Sequence, residues 1–275
     1  MFSLEGKVCV VTGAGKGLGR AIATTYAAQG AKIVAAARGL QDLESLKAEI
    51  EAKGGEVAIC TTDVTSRKAM ESLGEAALAA FGHVDVWVNN AGGFIDGAMC
   101  DWIDVEEDAL DAMLRLNLVS FVYGAQVAGK LMRAAGKGGS IILMSSLDAF
   151  NPAPGGEGCY GACKIALNHI TETLAIELGQ YGIRVNAIAP GVVDTPLTAP
   201  FLTTDEIRAD RASFYPLGRI GQPADVAAAA VYFASDEAGY VSGAKLLVSG
   251  GAVFNSDPYR YMMKVAAEKK AKAGV

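Results

Sequence analysis

Histidines, cysteine pairs and long apolar runs are scarce in this sequence, and each shortage excludes a class of protein. Only two histidines occur, so a zinc site would be hard to assemble. The five cysteines form no Cys-x-x-Cys pair, which suits a reducing compartment better than a disulfide framework. The longest apolar run, residues 226–234, is far shorter than the roughly 18 residues of a membrane span. Because the opening MFSLEGK also lacks signal-peptide features, we expect a soluble, cytoplasmic protein without a metal.

An excess of positive charge is missing as well. The net charge is −6 and the isoelectric point is near 5.1, and no cluster of Lys and Arg is interleaved with aromatic residues. Such a chain repels phosphate backbones, which disfavours nucleic acid as a partner and favours a small molecule. With 275 residues, 51% of them hydrophobic, the chain can bury one large core, so we expect one main domain.

Seven short runs rich in β-branched residues predict buried parallel strands. They are residues 8–12, 33–37, 56–60, 84–90, 140–146, 183–189 and 245–250. Helix-like segments lie between them; residues 41–55, for example, place Leu43, Leu46 and Ile50 on one face. This alternation predicts an α/β fold, a Rossmann-type doubly wound parallel seven-stranded sheet with helices on both faces. Ligands of such sheets bind at the carboxyl ends of the strands.

The first loop at a carboxyl end is TGAGKGLG, residues 12–19, between a predicted strand and a predicted helix. Its glycines permit a tight turn and bring backbone amides at a helix N-terminus against a pyrophosphate. The usual GxGxxG pattern does not fit, whereas TGxxxGxG fits through Gly13, Gly17 and Gly19. A glycine-rich loop in this strand-loop-helix setting favours a nucleotide ligand.

A second motif is CYGACK, residues 159–164, in which Tyr160 and Lys164 are four positions apart. In a helix their Cβ atoms lie roughly 5 to 6 Å apart, so they share one neighbourhood. The alternative is a packed tyrosine beside a lysine in solvent. Cys159 and Cys163 have the same spacing and raise the alternatives of a redox pair or two small buried side chains.

These motifs, together with NNAG at residues 89–92, occur in the order and setting of the short-chain dehydrogenase/reductase family. The chain resembles its single-domain branch over about residues 5–253. PGVVDTP at 190–196 and PLGRIGQPADV at 216–226 belong to the same resemblance. It implies one Rossmann-fold dehydrogenase domain, residues 1–254, followed by a helical extension, residues 255–275.

The resemblance implies four catalytic residues. Tyr160 would be the general acid/base, and Lys164 would lower its pKa and hold the nicotinamide ribose. Ser146 would orient the substrate oxygen and Asn117 would complete a proton relay. Ser146 stands one position earlier than the family spacing, so Ser145 is an alternative; for Asn117 the alternative is a buried helical amide bonded to backbone. Lowering a phenol pKa near 10 by two to three units takes about 3 to 4 kcal/mol, and an ammonium about 4 Å away supplies about that much.

The resemblance also implies a nicotinamide dinucleotide. Its expected contacts are Gly13, Gly15, Lys16, Gly17, Leu18, Gly19, Arg38, Asp63, Val64, Asn90, Ala91, Gly92, Tyr160, Lys164, Pro190, Gly191, Val193 and Thr195. For Asp63 the additional interpretation is a helix cap region. Where NAD-binding proteins carry an acid after the second strand, this chain has Ala37, followed by Arg38. With Lys16 in the glycine loop, two cations favour NADP(H) over NAD(H); alternatively, Arg38 stacks on adenine in an NAD enzyme.

Loops after the strands contribute a mainly apolar set of side chains. They are Phe94, Trp102, Leu147, Phe150, Leu197, Phe201, Leu202, Phe214 and Tyr215. This set suits a bulky hydrophobic substrate such as a steroid or an aromatic ketone, with residues 197–215 as a mobile lid. We therefore predict an NAD(P)-dependent enzyme that interconverts a secondary alcohol and a ketone.

Three alternative functions compete with this prediction, and the first of them has the same core motifs. A 3-oxoacyl-[acyl-carrier-protein] reductase would want a basic rim, for which Lys130, Arg133 and Lys137 are the candidates. An enoyl reductase resembling this family would need its lysine at the position of Leu167, so it is disfavoured. A non-catalytic nucleotide sensor or scaffold on the same fold is the alternative from another class.

The last segment, residues 255–275, predicts a helix that begins at Asp257 and Pro258. Its apolar residues recur at helical spacing and form one stripe. Since members of the family are commonly tetramers with C-termini near a neighbour's cleft, the resemblance implies a homotetramer, or a homodimer, in which this helix crosses a subunit interface. The alternative is a helix lying on its own subunit.

Overall fold

The computed structural model of the chain describes residues 2–151 and 156–252. The predicted helix after Asp257, with its predicted place at a subunit interface, lies outside these residues. Within them, no helix is long and apolar enough to cross a bilayer.

Seven parallel strands form one sheet, in the order β3-β2-β1-β4-β5-β6-β7. They are β1 Val8–Thr12, β2 Lys32–Ala37, β3 Val57–Thr61, β4 Val86–Asn89, β5 Gly139–Met144, β6 Ile183–Pro190 and β7 Lys245–Val248. Each strand overlaps one of the predicted runs. The sheet order reverses between β1 and β4, which is the arrangement of a doubly wound fold. The predicted fold class is confirmed.

Eight α-helices connect and cover the strands in the described residues. They are α1 Gly17–Ala28, α2 Leu40–Glu51, α3 Arg67–Phe81, α4 Glu107–Leu114, α5 Ser120–Ala135, α6 Gly158–Gly179, α7 Asp205–Ser213 and α8 Pro223–Ala234. The sequence pattern, with helix-like segments between seven strands, predicts about six helices, and two more occur. One reason is that a π-helical turn, Arg115–Val119, separates α4 from α5; the other is that α7 forms within the segment predicted as a lid.

The helices lie on both faces of the sheet because the strands are apolar on both sides. All five residues of β1 are buried, as expected of a central parallel strand. On one face α1 packs against α8, where Tyr26 Oη donates a hydrogen bond to the Ala230 carbonyl at 2.8 Å. On the other face α3 packs against α5. The core therefore lies on both faces of the sheet. The carboxyl ends of the parallel strands lie together at one edge of it.

The helix predicted over residues 41–55 forms as α2, with Leu43, Leu46 and Ile50 buried. The chain leaves this helix through Gly54, whose φ of +81° is in the left-handed region that favours glycine. This turn returns the chain to β3, next to β2 in the sheet. The carboxyl ends of β1, β2 and β3 thus come together on one side of the reversal point.

Candidate active site

One cavity of about 1350 Å³ lies at the carboxyl ends of the strands. Both predicted sets of site residues meet there. The predicted residues that line it are Gly13, Gly15, Lys16, Gly17, Leu18, Arg38, Asp63, Val64, Asn90, Ala91, Gly92, Ser146, Tyr160, Lys164, Pro190, Gly191, Val193 and Thr195. Gly19 and Asn117 are the two predicted residues outside the lining, and both are buried.

Gly19 serves the packing of the glycine loop. A Cβ at this position would lie 2.2 Å from the Gly13 carbonyl oxygen, closer than any real Cβ contact. A side chain here would therefore force the start of α1 away from the turn that follows β1. Gly19 thus has a role in close packing, which the third glycine of dinucleotide-binding loops also fulfils, and its contact with the cofactor stays a prediction.

The first turn of α1 fits an anionic ligand. No side chain caps this helix, and its first turn contains no acidic residue. Its exposed N–H groups and the positive end of the helix dipole are therefore directed to the cavity, the usual arrangement for binding a pyrophosphate. Gly17, with φ +54°, takes the left-handed conformation needed at the start of this turn. The residues present thus fit a nicotinamide dinucleotide.

Hydrogen bonds join the carboxyl end of β1 to the loop that follows β4, at the centre of the cavity. Thr12 Oγ1 accepts hydrogen bonds from the backbone N–H groups of Asn90 at 3.0 Å and Ala91 at 3.1 Å, and donates one to the Val88 carbonyl. The Asn90 side chain donates from Nδ2 to the Thr12 carbonyl at 2.9 Å. Thr12 and Asn90 therefore fix the two loops that face the centre of the cavity.

The predicted cations Lys16 and Arg38 line the end of the cavity beside the glycine loop, which we call its outer end. Asp42, a carboxylate that was not predicted, lines the same end. Lys16 Nζ lies 3.2 Å from Asp42 Oδ2, and Arg38 is close enough to Asp63 to help lower the pKa of that carboxyl. The main causes of the low Asp63 pKa are hydrogen bonds from Thr65, at 3.0 Å from its backbone and 2.8 Å from its hydroxyl. Asp63 thus stabilises the turn before α3, whose N-cap is Ser66, and also lines the cavity.

Tyr160 and Lys164 lie on α6 as expected, and both are buried. Lys164 is only 2% exposed; its Nζ donates a hydrogen bond to the Met144 carbonyl at 2.9 Å. The ammonium also lies 4.3 Å from the ring centroid of Phe121 and 5.2 Å from that of Tyr160. The alternative of a lysine in solvent is wrong, because the carbonyl and the ring faces replace water around the charge.

The electrostatics of this pair differ from the expectation. Burial raises the pKa of Tyr160 above its ordinary value of 10.0, the Asp148 carboxylate raises it further, and only the nearby Ser146 hydroxyl opposes them. Burial also lowers the pKa of Lys164 from 10.5 to about 7. Lys164 is not among the groups that lower the Tyr160 pKa, and for both side chains desolvation by burial is the largest effect.

The two serines of the strand end have separate roles. Ser145 is buried, and its Oγ donates to Asn168 Oδ1 at 3.0 Å. Ser146 lines the cavity and is the one that acts to lower the Tyr160 pKa; it is also the N-cap of a short 3-10 helix, Leu147–Ala149. The geometry thus favours Ser146 over Ser145 as the serine that faces a reacting group.

Asn117 lies in the π-helical turn and is fully buried. Its Oδ1 accepts from the Gly93 N–H at 2.9 Å, and its Nδ2 donates to the Gly93 carbonyl at 2.8 Å. This is the backbone-bonded amide of the alternative interpretation. Asn117 nevertheless remains near the reactive pair, because a Cβ on Gly92 would be 2.9 Å from Asn117 Oδ1 and 3.5 Å from Lys164 Nζ.

The inner end of the cavity is mainly apolar. Seven of the nine predicted substrate-side residues line it: Phe94, Leu147, Leu197, Phe201, Leu202, Phe214 and Tyr215. The Phe94 ring packs edge-on against Tyr160, with centroids 5.1 Å apart, and against Phe201 at 5.7 Å. Trp102 and Phe150 do not line the cavity; Trp102 lies beside Gly158 and remains 56% exposed.

Three charged residues at this end were missed by the sequence analysis. Asp148, Glu157 and Arg211 all line the cavity. Burial raises the pKa of the Asp148 and Glu157 carboxyls, and Asp148 raises that of Glu157 further while Arg211 lowers it. They come from a 3-10 helix, the cap of α6 and helix α7, so no local motif connects them.

The segment predicted as a lid closes one side of the cavity. It contains α7, whose N-cap Thr204 accepts a hydrogen bond from the Ile207 N–H at 3.2 Å. Arg208 of α7 makes a two-point ion pair with Asp194, with N–O distances of 2.7 and 3.2 Å. This ion pair connects the lid segment to the loop after β6.

The cysteines and acidic residues make no further site in the described residues. Cys159 and Cys163 are buried free thiols, and burial raises the pKa of both, which disfavours reactive thiolates. No group of three His, Cys, Asp or Glu side chains is arranged to hold a metal there.

Comparisons with known proteins agree with this geometry. A family model described as enoyl-(acyl carrier protein) reductase matches residues 13–253. A 3β-hydroxysteroid dehydrogenase of Eggerthella lenta is 40% identical over 250 residues, covering 90% of this chain and 94% of that protein. The chain belongs to the short-chain dehydrogenase/reductase family. It is an NAD(P)-dependent oxidoreductase of the class that acts on alcohols and ketones.

Two other relatives of this short-chain dehydrogenase/reductase mark the range of its neighbours. The 3-oxoacyl-[acyl-carrier-protein] reductase FabG of Thermotoga maritima is 36% identical and covers 91% of this chain and 99% of its own. A solved structure of a 7α-hydroxysteroid dehydrogenase with NADH and 7-oxoglycochenodeoxycholic acid superimposes with a TM-score of 0.86. Its sequence is 35% identical, with 92% of this chain and 96% of that chain covered.

Proposed function

We propose that this enzyme interconverts a bulky hydrophobic ketone and its secondary alcohol, with Tyr160 as the general acid/base. The observation that carries the proposal is the position of Tyr160. It lies between Ser146, which is near enough to act on its pKa, and the ring of Phe94. A carbonyl oxygen can therefore approach the phenol and the serine hydroxyl together, while an apolar body lies on the aromatic wall.

The four polar side chains have distinct proposed tasks. The nicotinamide cofactor supplies or accepts the hydride when bound. Tyr160 gives its phenolic proton to the carbonyl oxygen during reduction and takes it back during oxidation. Ser146 orients that oxygen, and Lys164 would hold the nicotinamide ribose. Asn117 fixes Gly93 and completes a proton relay to the pair.

A preference for NADP(H) is part of the proposal. Lys16 and Arg38 line the outer end of the cavity, and Ala37 occupies the position of the usual NAD-specific acid. A ribose 2′-phosphate would meet these two cations. Asp42 works against this preference, because its carboxylate pairs with Lys16. The preference therefore depends mainly on Arg38.

The hydroxysteroid dehydrogenases among the relatives support a bulky substrate for this chain. The 3-oxoacyl-carrier-protein reductase alternative finds less support. Its basic rim would consist of Lys130, Arg133 and Lys137, but these residues lie at or beyond the carboxyl end of α5, which leads into the amino end of β5. That edge of the sheet is opposite the cavity. The enoyl reductase alternative would need a lysine where Leu167 is fully buried.

We also propose that the enzyme is a cytoplasmic homotetramer or homodimer. Support comes from α6, which carries the reactive pair on its buried side and exposes Ile165 and Ile176 on the other, with 58% and 82% of their surface accessible. Exposed large apolar side chains on one helix favour burial against another subunit.

A substrate screen with product identification tests the proposed activity. We expect NADPH-dependent reduction of bulky cyclic and aromatic ketones at a higher kcat/KM than of an acetoacetyl thioester. The thioester is the matched comparison, because it carries the same reacting ketone on a flexible chain. A higher kcat/KM on the thioester would replace the proposal with the carrier-protein reductase.

A further inference from the structure

We propose that Asp148 is a positioning residue of the active site. Its carboxylate holds the hydroxyl hydrogen of Ser146 and thereby sets whether Ser146 meets the substrate oxygen as a donor or as an acceptor. The inference deepens the proposed function and rests on it for the identity of the reacting oxygen.

Two hydrogen bonds connect the residues. Ser146 Oγ donates to Asp148 Oδ2 at 2.9 Å, and the backbone N–H of Asp148 donates to Ser146 Oγ at 3.2 Å. A serine hydroxyl has one hydrogen and two lone pairs. Its only hydrogen is thus held by a carboxylate, a stronger acceptor than a ketone oxygen. In this arrangement a ketone can take a hydrogen bond from Tyr160 but must compete with Asp148 for the one from Ser146.

The local backbone fixes this contact. Ser146 is the N-cap of the 3-10 helix that contains Asp148, so the side chain and the N–H it bonds are two residues apart. That helix packs on α6 immediately after the tyrosine, since a Cβ on Gly161 would lie 3.3 Å from the Asp148 carbonyl oxygen. The backbone of this turn therefore places the Asp148 carboxylate within hydrogen-bond distance of Ser146.

The charges around Asp148 come from several elements. Lys164 on α6 lowers its pKa, as does the hydrogen bond from Ser146, but burial is the largest effect and raises it. Glu157 at the cap of α6 and Tyr215 after α7 are both affected by its charge. Arg211 of α7 acts on Glu157 and Tyr215.

Uptake of one proton from solvent by Asp148 changes the role of Ser146. A neutral carboxyl is a weaker acceptor than a carboxylate, so the Ser146 hydrogen becomes available to a ketone oxygen. When Asp148 is ionised, its carboxylate holds the Ser146 hydrogen. Ser146 can then only accept a hydrogen bond from the substrate, which suits the O–H of an alcohol. Ketone binding should therefore weaken as the pH rises through the Asp148 titration, which lies above the ordinary range for aspartate.

The first test requires no substrate. The full chain is labelled with [13C]carboxyl aspartate, and the Asp148 resonance is identified as the one lost in Asp148→Asn. We expect this resonance to titrate at a higher pH in Ser146→Ala than in the wild type, because the hydrogen bond that stabilises the carboxylate is lost. Ser146→Thr, which keeps a hydroxyl, should restore the wild-type titration. An unchanged titration in Ser146→Ala would overturn the proposal.

The second test measures binding of 2-acetylnaphthalene to the unreactive complex with NADP⁺ at pH 8. Asp148→Asn and Asp148→Ala should tighten ketone binding about threefold to tenfold, the effect of one recovered hydrogen bond. The same substitutions in a Ser146→Ala background should have no effect, because the hydrogen in question is absent. An equal gain in both backgrounds, or an equal gain from Glu157→Gln, would show a general charge effect and overturn the proposal.

The two tests separate this inference from the proposed function. Failure of every variant to bind 2-acetylnaphthalene or a steroid ketone would count against the proposed substrate class. The carboxyl titration would still decide whether Asp148 holds the Ser146 hydrogen.

Discussion

Lys164 Nζ donates a hydrogen bond to the Met144 carbonyl oxygen at 2.9 Å, so a buried ammonium joins α6 to the carboxyl end of β5. The same nitrogen lies over the ring of Phe121 on α5. One charge thus connects the helix that carries Tyr160, the strand end next to Ser146 and the helix behind them. Because burial disfavours the charged form of Lys164, this side chain lowers the stability of the fold in addition to its proposed catalytic role.

Replacement of this lysine separates the two effects. We expect Lys164→Met to lower kcat by about 100-fold or more, since general acid/base catalysis loses its charged partner. At pH 6 the free energy of unfolding should rise by about 0 to 4 kcal/mol, because an apolar side chain replaces a desolvated charge. Urea unfolding and steady-state kinetics on the same samples measure both.

The pH dependence of stability checks the cause. Burial lowers the Lys164 pKa to about 7 from 10.5, so between these values the unfolded chain holds a proton that the folded chain has released. The unfolding free energy contributed by Lys164 therefore rises with pH across this window. The stability difference between Lys164→Met and the wild type should shrink from pH 7 to pH 10; a constant difference would mean that the buried charge carries no cost.

Gly92 provides a test of the space between Asn117 and Lys164. Gly92→Ala would place a Cβ 2.9 Å from Asn117 Oδ1, so we expect kcat to fall about tenfold or more through misplacement of the pair. The unfolding free energy should fall by about 1 to 3 kcal/mol from overpacking. The control is Gly179→Ala at the end of α6, where a Cβ meets nothing within 4 Å. Equal effects of both substitutions would contradict the role given to Gly92.

Cofactor choice should respond to the charges at the outer end of the cavity. Arg38→Ala should lower the ratio of kcat/KM with NADP to that with NAD about tenfold or more, as expected for a lost charged hydrogen bond. Asp42→Asn should raise this ratio about two- to fivefold, because it releases Lys16 from an exposed ion pair. Parallel assays with both cofactors measure the ratios. A ratio below one in the wild type would show that Arg38 supports NAD instead.

The ion pair between Arg208 and Asp194 should hold the lid segment over the cavity. Arg208→Ala is expected to raise the KM for a ketone about two- to fivefold, the effect of one exposed ion pair. The matched control is Arg219→Ala. It breaks a two-point ion pair with Asp225, whose N–O distances are 2.6 and 2.8 Å, and neither residue of this pair lines the cavity. If KM rises equally in both variants, the segment does not act as a lid.

The fold could be predicted because local and global signals agree. Each buried strand appears as a β-branched run, and helices such as α2 show their buried face as a spacing of three and four residues. The division between α4 and α5 could not be predicted, since the π-helical turn at Asn117 depends on its bonds to Gly93. Such a contact joins residues that are distant in sequence.

Motifs located most of the predicted site, but not all of its charged residues. The glycine loop and the Tyr160–Lys164 spacing are local, so they can be recognised directly. Asp42, Asp148 and Arg211 reach the cavity from separate elements, and only the folded chain brings them there. The Tyr160 pKa was expected to fall because the sequence shows its neighbour Lys164 but not the burial that raises it.

The central claim is that Tyr160 exchanges the proton with the substrate oxygen. The most direct measurement compares Tyr160→Phe with the wild type in NADPH binding, followed by cofactor fluorescence, and in ketone reduction. Our account predicts that the cofactor Kd changes less than about threefold, because the ring and its packing remain, while kcat falls about 100-fold or more. Ketone reduction by Tyr160→Phe at a rate near that of the wild type would contradict the account.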